Sequence, residues 1–417
     1  MSSTDMEDVD AFRSRARAWL AGSLPRRSGA VASLDTDQDD RVARHRQLQR
    51  TLFDGGFAGI VFPVEYGGLG LTPAHQRAFT EEARDYEMPV VFNVPTLGIL
   101  AATLLEFGTE EQKRRHLPAI LRGDELWVQF LSEPCGGSDL AGCITRATRD
   151  GDVWVLNGSK IWSSGAHWCD WAMCLARTNW DVPKHRGLTM FIVEIHQPGI
   201  QIDRIRQVAG TSEFCQEFFD DVQIPASAVV GAVNDGWTVA SRLLFHERNS
   251  VGGASPYVSG GGPEGPSGGR LPGNRLVAEE VGVAADPEVG QLLAESYLLD
   301  VVHGQLAERI GAGIRSGAFP GPAGAILRLF SGEKFVRQTD ITMEIAGVSA
   351  AAAPGGALVG RYADQFLGRQ GNTLGGGSTE MARNIISERV LGMPREYAPD
   401  RDIPFNQVKR NELPSRP

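Results

Sequence analysis

The 417 residues contain no CxxC pair, no zinc-like spacing between cysteines and histidines such as His167 and His185, and no unbroken run of 18 apolar residues. The first two absences argue against a structural zinc site, and no metal is expected. The third excludes a membrane-spanning helix. Cysteine is scarce, with five in all, an odd number, lying between Cys135 and Cys215. A disulfide framework would be spread through a smaller chain, so reduced core thiols are expected. Positive charge is also in deficit. A net charge of −10 and a pI near 5.4 argue against a nucleic-acid binder held by phosphate neutralisation. Met1 to Asp10 carries four acids and no base, unlike a signal or transit peptide, so the expected location is the cytoplasm. What remains is an ordinary globular composition, 42% hydrophobic and 22% charged, long enough for more than one domain.

The texture changes twice along the chain. Residues 1–125 read as a helical domain. Phe12, Ala16, Trp19 and Leu20 recur at helical spacing, as do Leu48, Leu52 and Phe53, and Thr109 with Gln112 forms a capping box. Residues 126–233 read as a β domain, an antiparallel barrel. Its strands include Trp127–Leu131, Trp154–Leu156, Trp171–Ala176 and Leu188–Val193, with Asn157-Gly158 and Pro198-Gly199 as separating turns. Residues 234–400 read as a helical bundle, with helices over Trp237–Arg248, Val289–Arg315, Ala323–Ala346 and Thr379–Leu391. Gly252 to Gly273 interrupts it with nine glycines and four prolines in 22 residues, an insertion whose composition cannot pack a core.

The densest motif is Ser132-Glu133-Pro134-Cys135-Gly136-Gly137-Ser138-Asp139, which follows a strand. Downstream come Gly158-Ser159-Lys160-Ile161-Trp162-Ser163-Ser164-Gly165, Phe219 to Pro225, and Ile385 to Gly392. Pro63, Glu65, Gly67, Gly68 and Phe107 to Lys113 precede them. In this order the motifs resemble the acyl-CoA dehydrogenase flavoprotein family. The resemblance implies a helix–sheet–helix fold, FAD as cofactor, and removal of two hydrogens from the α and β carbons of an acyl-CoA thioester to give the trans-2-enoyl-CoA. It implies electron-transfer flavoprotein as electron acceptor, and a homo- or hetero-oligomer, dimer or tetramer. The cofactor carries the redox chemistry while the protein positions and tunes it.

Carried over residue by residue, the resemblance puts Gln129, Leu131, Ser132, Trp162 and Ser164 on the flavin, and Ser138 and Arg248 on the CoA substrate. The Gly375-Gly376-Gly377-Ser378-Thr379 loop opens the last helix. Such a start attracts anions, and the resemblance assigns Gly376, Gly377, Ser378 and Glu380 to the FAD pyrophosphate and ribose. Many family members carry the catalytic Glu in this loop, where this chain has Gly376. Other branches carry it on an earlier helix, immediately before an arginine, which here matches Phe245-His246-Glu247-Arg248. Glu247 is therefore the expected base, a carboxylate whose basicity rises when acyl chain and flavin strip its solvent.

Pro183-Lys184-His185-Arg186-Gly187, together with the triple glycine, resembles an actinobacterial branch that acts on branched or steroid side-chain thioesters, sometimes as heterotetramers. The family's Arg-x-x-Phe-Gly is absent, its place taken by Asp286-Pro287-Glu288-Val289-Gly290-Gln291. Two alternatives stay open: a non-catalytic or partner-dependent subunit, motivated by Gly376 and the missing arginine, and an oxygen-using oxidase or monooxygenase of the same fold.

Overall fold

The computed structural model describes residues 6–27, 38–251, 255–258, 273–352 and 358–409. They fall into two compact units, 1–205 with 213–269 and 398–417, and 206–212 with 270–397. The first unit opens with helices α1 (Val9–Ser23), α2 (Gln38–Asp54), α3 (Pro73–Glu82) and α4 (Val90–Phe92). A π-helical stretch over Asn93–Ala101 follows, then α5 (Ala102–Phe107) and α6 (Glu110–Arg122). Asp8 caps α1 by accepting from the Asp10 and Ala11 amides, and Phe12, Ala16 and Leu20 turn inward at the expected spacing. The Thr109–Gln112 capping box starts α6, and Gly123, in the left-handed region at φ 88°, ends it.

Eight strands follow: β1 (Trp127–Phe130), β2 (Arg146–Asp150), β3 (Val153–Ser164), β4 (Trp171–Arg177), β5 (Leu188–Glu194), β6 (Ile200–Arg204), β7 (Phe214–Pro225) and β8 (Val229–Val230). They form one sheet in the order β6-β7-β3-β2-β4-β5-β8, with β1 on β4. The sheet is mixed rather than wholly antiparallel. β1 runs parallel to β4 from Trp127/Trp171 to Phe130/Cys174, and β2 meets β4 in parallel at Arg146/Arg177. β1 and β2 thus occupy one edge of β4 in succession, and the chain between them must leave the sheet there. Asn157-Gly158 is no turn. It lies inside β3, where the pairing with β7 slips between Leu156 and Gly158. The dipeptide that favours a tight hairpin also suits a bulge, because both need a residue free to take positive φ.

Val90–Phe107 is long and apolar enough to cross a membrane by length and composition, which corrects the exclusion drawn from the sequence. Asn93, Thr96, Thr103 and Glu106 break the apolar run and hid it. Its side chains Phe92, Leu97, Ile99, Leu100 and Leu104 belong to the main core, with Trp127, Phe130, Phe191 and Leu243. Burial inside the fold accounts for its composition.

Helix α7 (Gly236–Val251) packs against the π-helical stretch and β5 within this first unit. Of the Gly252–Gly273 insertion, residues 252–254 and 259–272 lie outside the described residues. Within 255–258, Tyr257 sets its ring 5.0 Å from that of Phe62 and packs on the core, against the expectation from composition.

The second unit holds α8 (Asn274–Glu280), α9 (Pro287–Arg315), α10 (Gly324–Ala346), α11 (Ser349–Ala352), α12 (Leu358–Gly368), α13 (Gly371–Leu374) and α14 (Thr379–Ile385). Its own core joins Val277, Val289, Ile341, Ile345, Val359 and Tyr362. All five cysteines are free thiols. Four are buried, and Cys135 departs from the core expectation by being exposed.

Candidate active site

The loop that leaves the sheet between β1 and β2 carries Ser132 to Asp139, and a buried ion pair ties it down. Lys160 of β3 donates from Nζ to Glu133 Oε1 at 2.9 Å and to the Leu131 carbonyl at 3.0 Å. Glu133 also accepts from the amides of Ile144 at 2.7 Å and Thr145 at 2.9 Å. Burial alone would raise the Glu133 pKa. The Lys160 ammonium and hydrogen bonds from Thr145, Cys143 and the Ile144 amide outweigh it and hold it down to about 2. Neither residue is assigned a role by the motif beyond local structure. The Ser132 carbonyl then accepts from the Ile161 amide at 2.9 Å, which joins the first motif to the second beside Trp162. Further along the loop, Ser138 is exposed, and its neighbour Asp139 is held by Lys184 Nζ at 3.0 Å. Lys184 also bonds Asp400 at 2.7 Å.

Trp162 sits on a bulge. The β3–β7 register slips between Ile161 and Ser163, and Trp162 takes φ 68°. For a bulky side chain that conformation costs on the order of 1–3 kcal/mol, and such strain collects at functional sites. The indole is left 55% exposed, with the ring of Phe214 edge-on at 5.9 Å. Beyond the bulge Ser163 points inward and Ser164 outward. The strand therefore presents an aromatic face and a hydroxyl from adjoining positions.

Ser163 Oγ donates to Glu217 Oε2 at 3.0 Å, while Glu217 Oε1 has no partner among the described residues. Burial pushes the Glu217 pKa from 4.5 up to about 7, against the Ser163 hydrogen bond. A carboxyl raised in this way adds nothing unfavourable below pH 4.5. Its ionisation then weakens the fold progressively until about pH 7, by about 3 kcal/mol in full. Glu217→Gln is expected to stabilise the protein at pH 8 and to change little at pH 4.5, as read by chemical denaturation. Equal effects at both pH values would assign the change to packing rather than charge.

Glu247 lies on α7, whose Val239, Ala240 and Leu243 face the core. Two contacts fix the helix. Arg242 donates to Glu106 through Nε at 2.6 Å and Nη2 at 2.9 Å, and His246 Nε2 meets the same carboxylate at 3.0 Å. Near the other end, Ser250 Oγ donates to the Gly98 carbonyl at 2.9 Å. Gly98 is required there, since a Cβ would strike Ser250 Oγ and lie 2.9 Å from the Asn93 carbonyl. Arg242 is thus committed to Glu106. Glu247 Oε2 instead accepts from Gln129 Nε2 of β1 at 2.8 Å. A course runs from Glu247 by hydrogen bond to Gln129, along the chain to Leu131 and Ser132, and by hydrogen bond across to Ile161, next to Trp162. Arg248 is on the exposed side of α7.

The remaining expected residues belong to the second unit. Gly376 and Gly377 take φ 71° and 93°, conformations that favour glycine. Ser378 caps α14 by accepting from the Met381 amide at 3.2 Å. Glu380 is exposed, its carboxyl held below the usual range by its own backbone amide and the Ser378 hydroxyl. Arg328 of α10, which no motif signals, donates to the carbonyls of Asn372 at 2.9 Å and Gly375 at 2.7 Å and so shapes this loop.

Comparison with known proteins agrees with this architecture. Residues 6–124 match the acyl-CoA dehydrogenase N-terminal domain and residues 129–222 the acyl-CoA dehydrogenase middle domain. The chain is 36% identical to acyl-CoA dehydrogenase IpdE1 of Mycobacterium tuberculosis, over 94% of this chain and 99% of that protein. It is 32% identical to acyl-CoA dehydrogenase FadE26 of the same species, over 93% and 97%. Among solved structures, the Tcur3481-Tcur3483 steroid ACAD superposes with a TM-score of 0.71 at 28% identity, over 94% of this chain and 100% of that one. The ChsE4-ChsE5 complex from Mycobacterium tuberculosis gives 0.68 at 26% identity, over 95% and 100%. The chain belongs to the acyl-CoA dehydrogenase family, oxidoreductases that act on acyl-CoA.

Proposed function

We propose that this chain is an FAD-dependent acyl-CoA dehydrogenase in which Glu247 takes the α-proton and the product is the trans-2-enoyl-CoA. The observation that carries the reading is the 2.8 Å hydrogen bond that brings the Glu247 carboxylate to β1, three residues before Ser132. The first unit fits a flavin ring. It offers an exposed indole on a strained bulge, outward hydroxyls, and a buried Gln129 Oε1 with no partner among the described residues, an acceptor calling for a donor. Gln129, Leu131, Ser132, Trp162 and Ser164 would hold the ring. FAD, when bound, accepts the hydride from the β carbon.

The chain's own residues supply the rest. Glu247 receives the proton, its helix held by the Glu106 and Gly98 contacts. Ser138 and Arg248 are assigned to the CoA arm. Electron-transfer flavoprotein is the proposed acceptor, and a bulky, steroid-type acyl group the proposed substrate. The substrate reading is supported by the name of the solved steroid ACAD.

The test is the visible spectrum of the chain purified alone, followed by anaerobic addition of acyl-CoA thioesters. Flavin absorption that bleaches with substrate is expected. A second reading, a subunit that needs a different chain, is favoured by solved neighbours that pair two named chains and by Gly376, which has no side chain to accept a proton. It predicts a colourless chain that gains flavin only with a homologous partner. Flavin lacking both with and without a partner would overturn the first reading.

A further inference from the structure

Gln129 and Glu247 are 118 residues apart in sequence, and nothing in the local pattern of either announces the other. Their geometry leaves little freedom. An ionised carboxylate only accepts hydrogen bonds, so the Gln129 amide must turn Nε2 toward Glu247 Oε2. That turn leaves its carbonyl Oε1 as the spare acceptor, buried and with no partner among the described residues. A buried amide half satisfied by the protein and half left over is an expensive arrangement unless the site uses it. β1 is rigid here, since its backbone pairs with β4 and Thr96 Oγ1 accepts from the Trp127 amide at 2.9 Å. α7 is fixed by Glu106 and Gly98. The Gln129 side chain thus bridges two anchored elements and can hold the carboxylate in one orientation.

We infer that Gln129 is the positioning residue of the base, its amide aiming Glu247 and keeping the carboxylate ready to accept the α-proton. Oε1 is then the acceptor for an N–H or O–H donor of the bound ligand, so that filling the site tightens the same amide that holds the base. The inference rests on the reading of Glu247 as base. Its test separates the two.

The holoenzyme is incubated in D2O with a CoA thioester whose β-methylene is replaced by sulfur. The α-proton of that analogue can exchange, but no β-hydride can leave, and deuterium uptake is followed by mass spectrometry across pH. Glu247→Gln tests the base, with exchange expected to vanish. Exchange that survives would sink the base reading itself.

Gln129→Met keeps the length and removes the donor. A hydrogen bond donated to a carboxylate favours its charged form, so losing it moves the acid limb of the exchange profile up by about one pH unit. The plateau is expected to fall about tenfold. The other ionisable groups of α7 and the helix packed on it are Arg242, His246, Arg248 and Glu106, and the variant leaves all of them in place. A Gln129→Met profile that overlays the wild type, while Glu247→Gln is dead, overturns the positioning inference alone. If Gln129→Met loses its flavin, Gln129→Asn carries the test, because it keeps the amide and withdraws it by one methylene. The same upward move of the limb supports the inference, and an unmoved limb overturns it.

Discussion

Glu247→Gln is expected to slow flavin reduction by acyl-CoA by about 10²- to 10⁴-fold, the scale on which a positioned base contributes, while flavin stays bound. The substitution is nearly isosteric. Gln129 Nε2 can still donate to the new amide oxygen, so the 2.8 Å link between α7 and β1 has a counterpart in the variant. Helix α7 is also held at two places away from residue 247. The Glu106 carboxylate binds Arg242 and His246, and Ser250 is hydrogen-bonded to Gly98. These anchors do not depend on the charge at residue 247, so flavin is expected to stay bound while proton acceptance is lost. Anaerobic stopped-flow at the flavin band reads the reduction rate, and the resting spectrum reads cofactor content. Reduction at the wild-type rate would remove Glu247 as base. Loss of flavin together with rate would show that residue 247 shapes the site instead.

The expectations that held were those with local signals. The capping box at Thr109 and Gln112 and the inward face of α1 follow from short-range hydrogen bonding and periodicity, and the strands expected over Trp171–Ala176 and Leu188–Val193 from short apolar runs. Glu247 is proposed as base from a motif, not from a local period. What stayed hidden needs partners remote in sequence. Lys160 reads as a polar residue in a polar motif, yet it is fully buried because Glu133, 27 residues earlier, returns to meet it. Gln129 gives no sign of its bond to α7, since a glutamine in a strand is equally at home facing water. Asn157-Gly158 misled because turn and bulge draw on the same residues. The helix Asn274–Glu280 went unread because seven residues do not establish a period, whereas Leu358–Gly368, at eleven residues, carries a helical period that was passed over.

Lys160→Met tests the buried ion pair that ties the loop after β1, and its expected cost is about 3–5 kcal/mol at pH 7. The substitution removes the ammonium and leaves the Glu133 carboxylate in an apolar interior, with the Ile144 and Thr145 amides and the Cys143 thiol among its remaining donors. The pH dependence has a defined sign. The folded pKa of Glu133, about 2, lies below its ordinary 4.5, so the pair's stabilisation is complete above pH 4.5 and is lost as pH falls toward 2. That difference corresponds to about 3 kcal/mol, the same scale as the cost of breaking the pair. Without Lys160 the carboxyl protonates readily and the variant lacks this acid sensitivity, so its stability gap to wild type narrows between pH 7 and pH 3. Glu133→Gln combined with Lys160→Met is expected to recover part of the loss, because a neutral amide in place of the carboxylate leaves no charge uncompensated. Denaturant titrations at the two pH values measure all three proteins. A Lys160→Met loss below about 1 kcal/mol, or one that does not change with pH, would mean that the ion pair does not hold the loop. The functional consequence follows from the same contacts. Lys160 also binds the Leu131 carbonyl, so releasing it frees the chain on either side of Ser132, and flavin content is expected to fall together with stability.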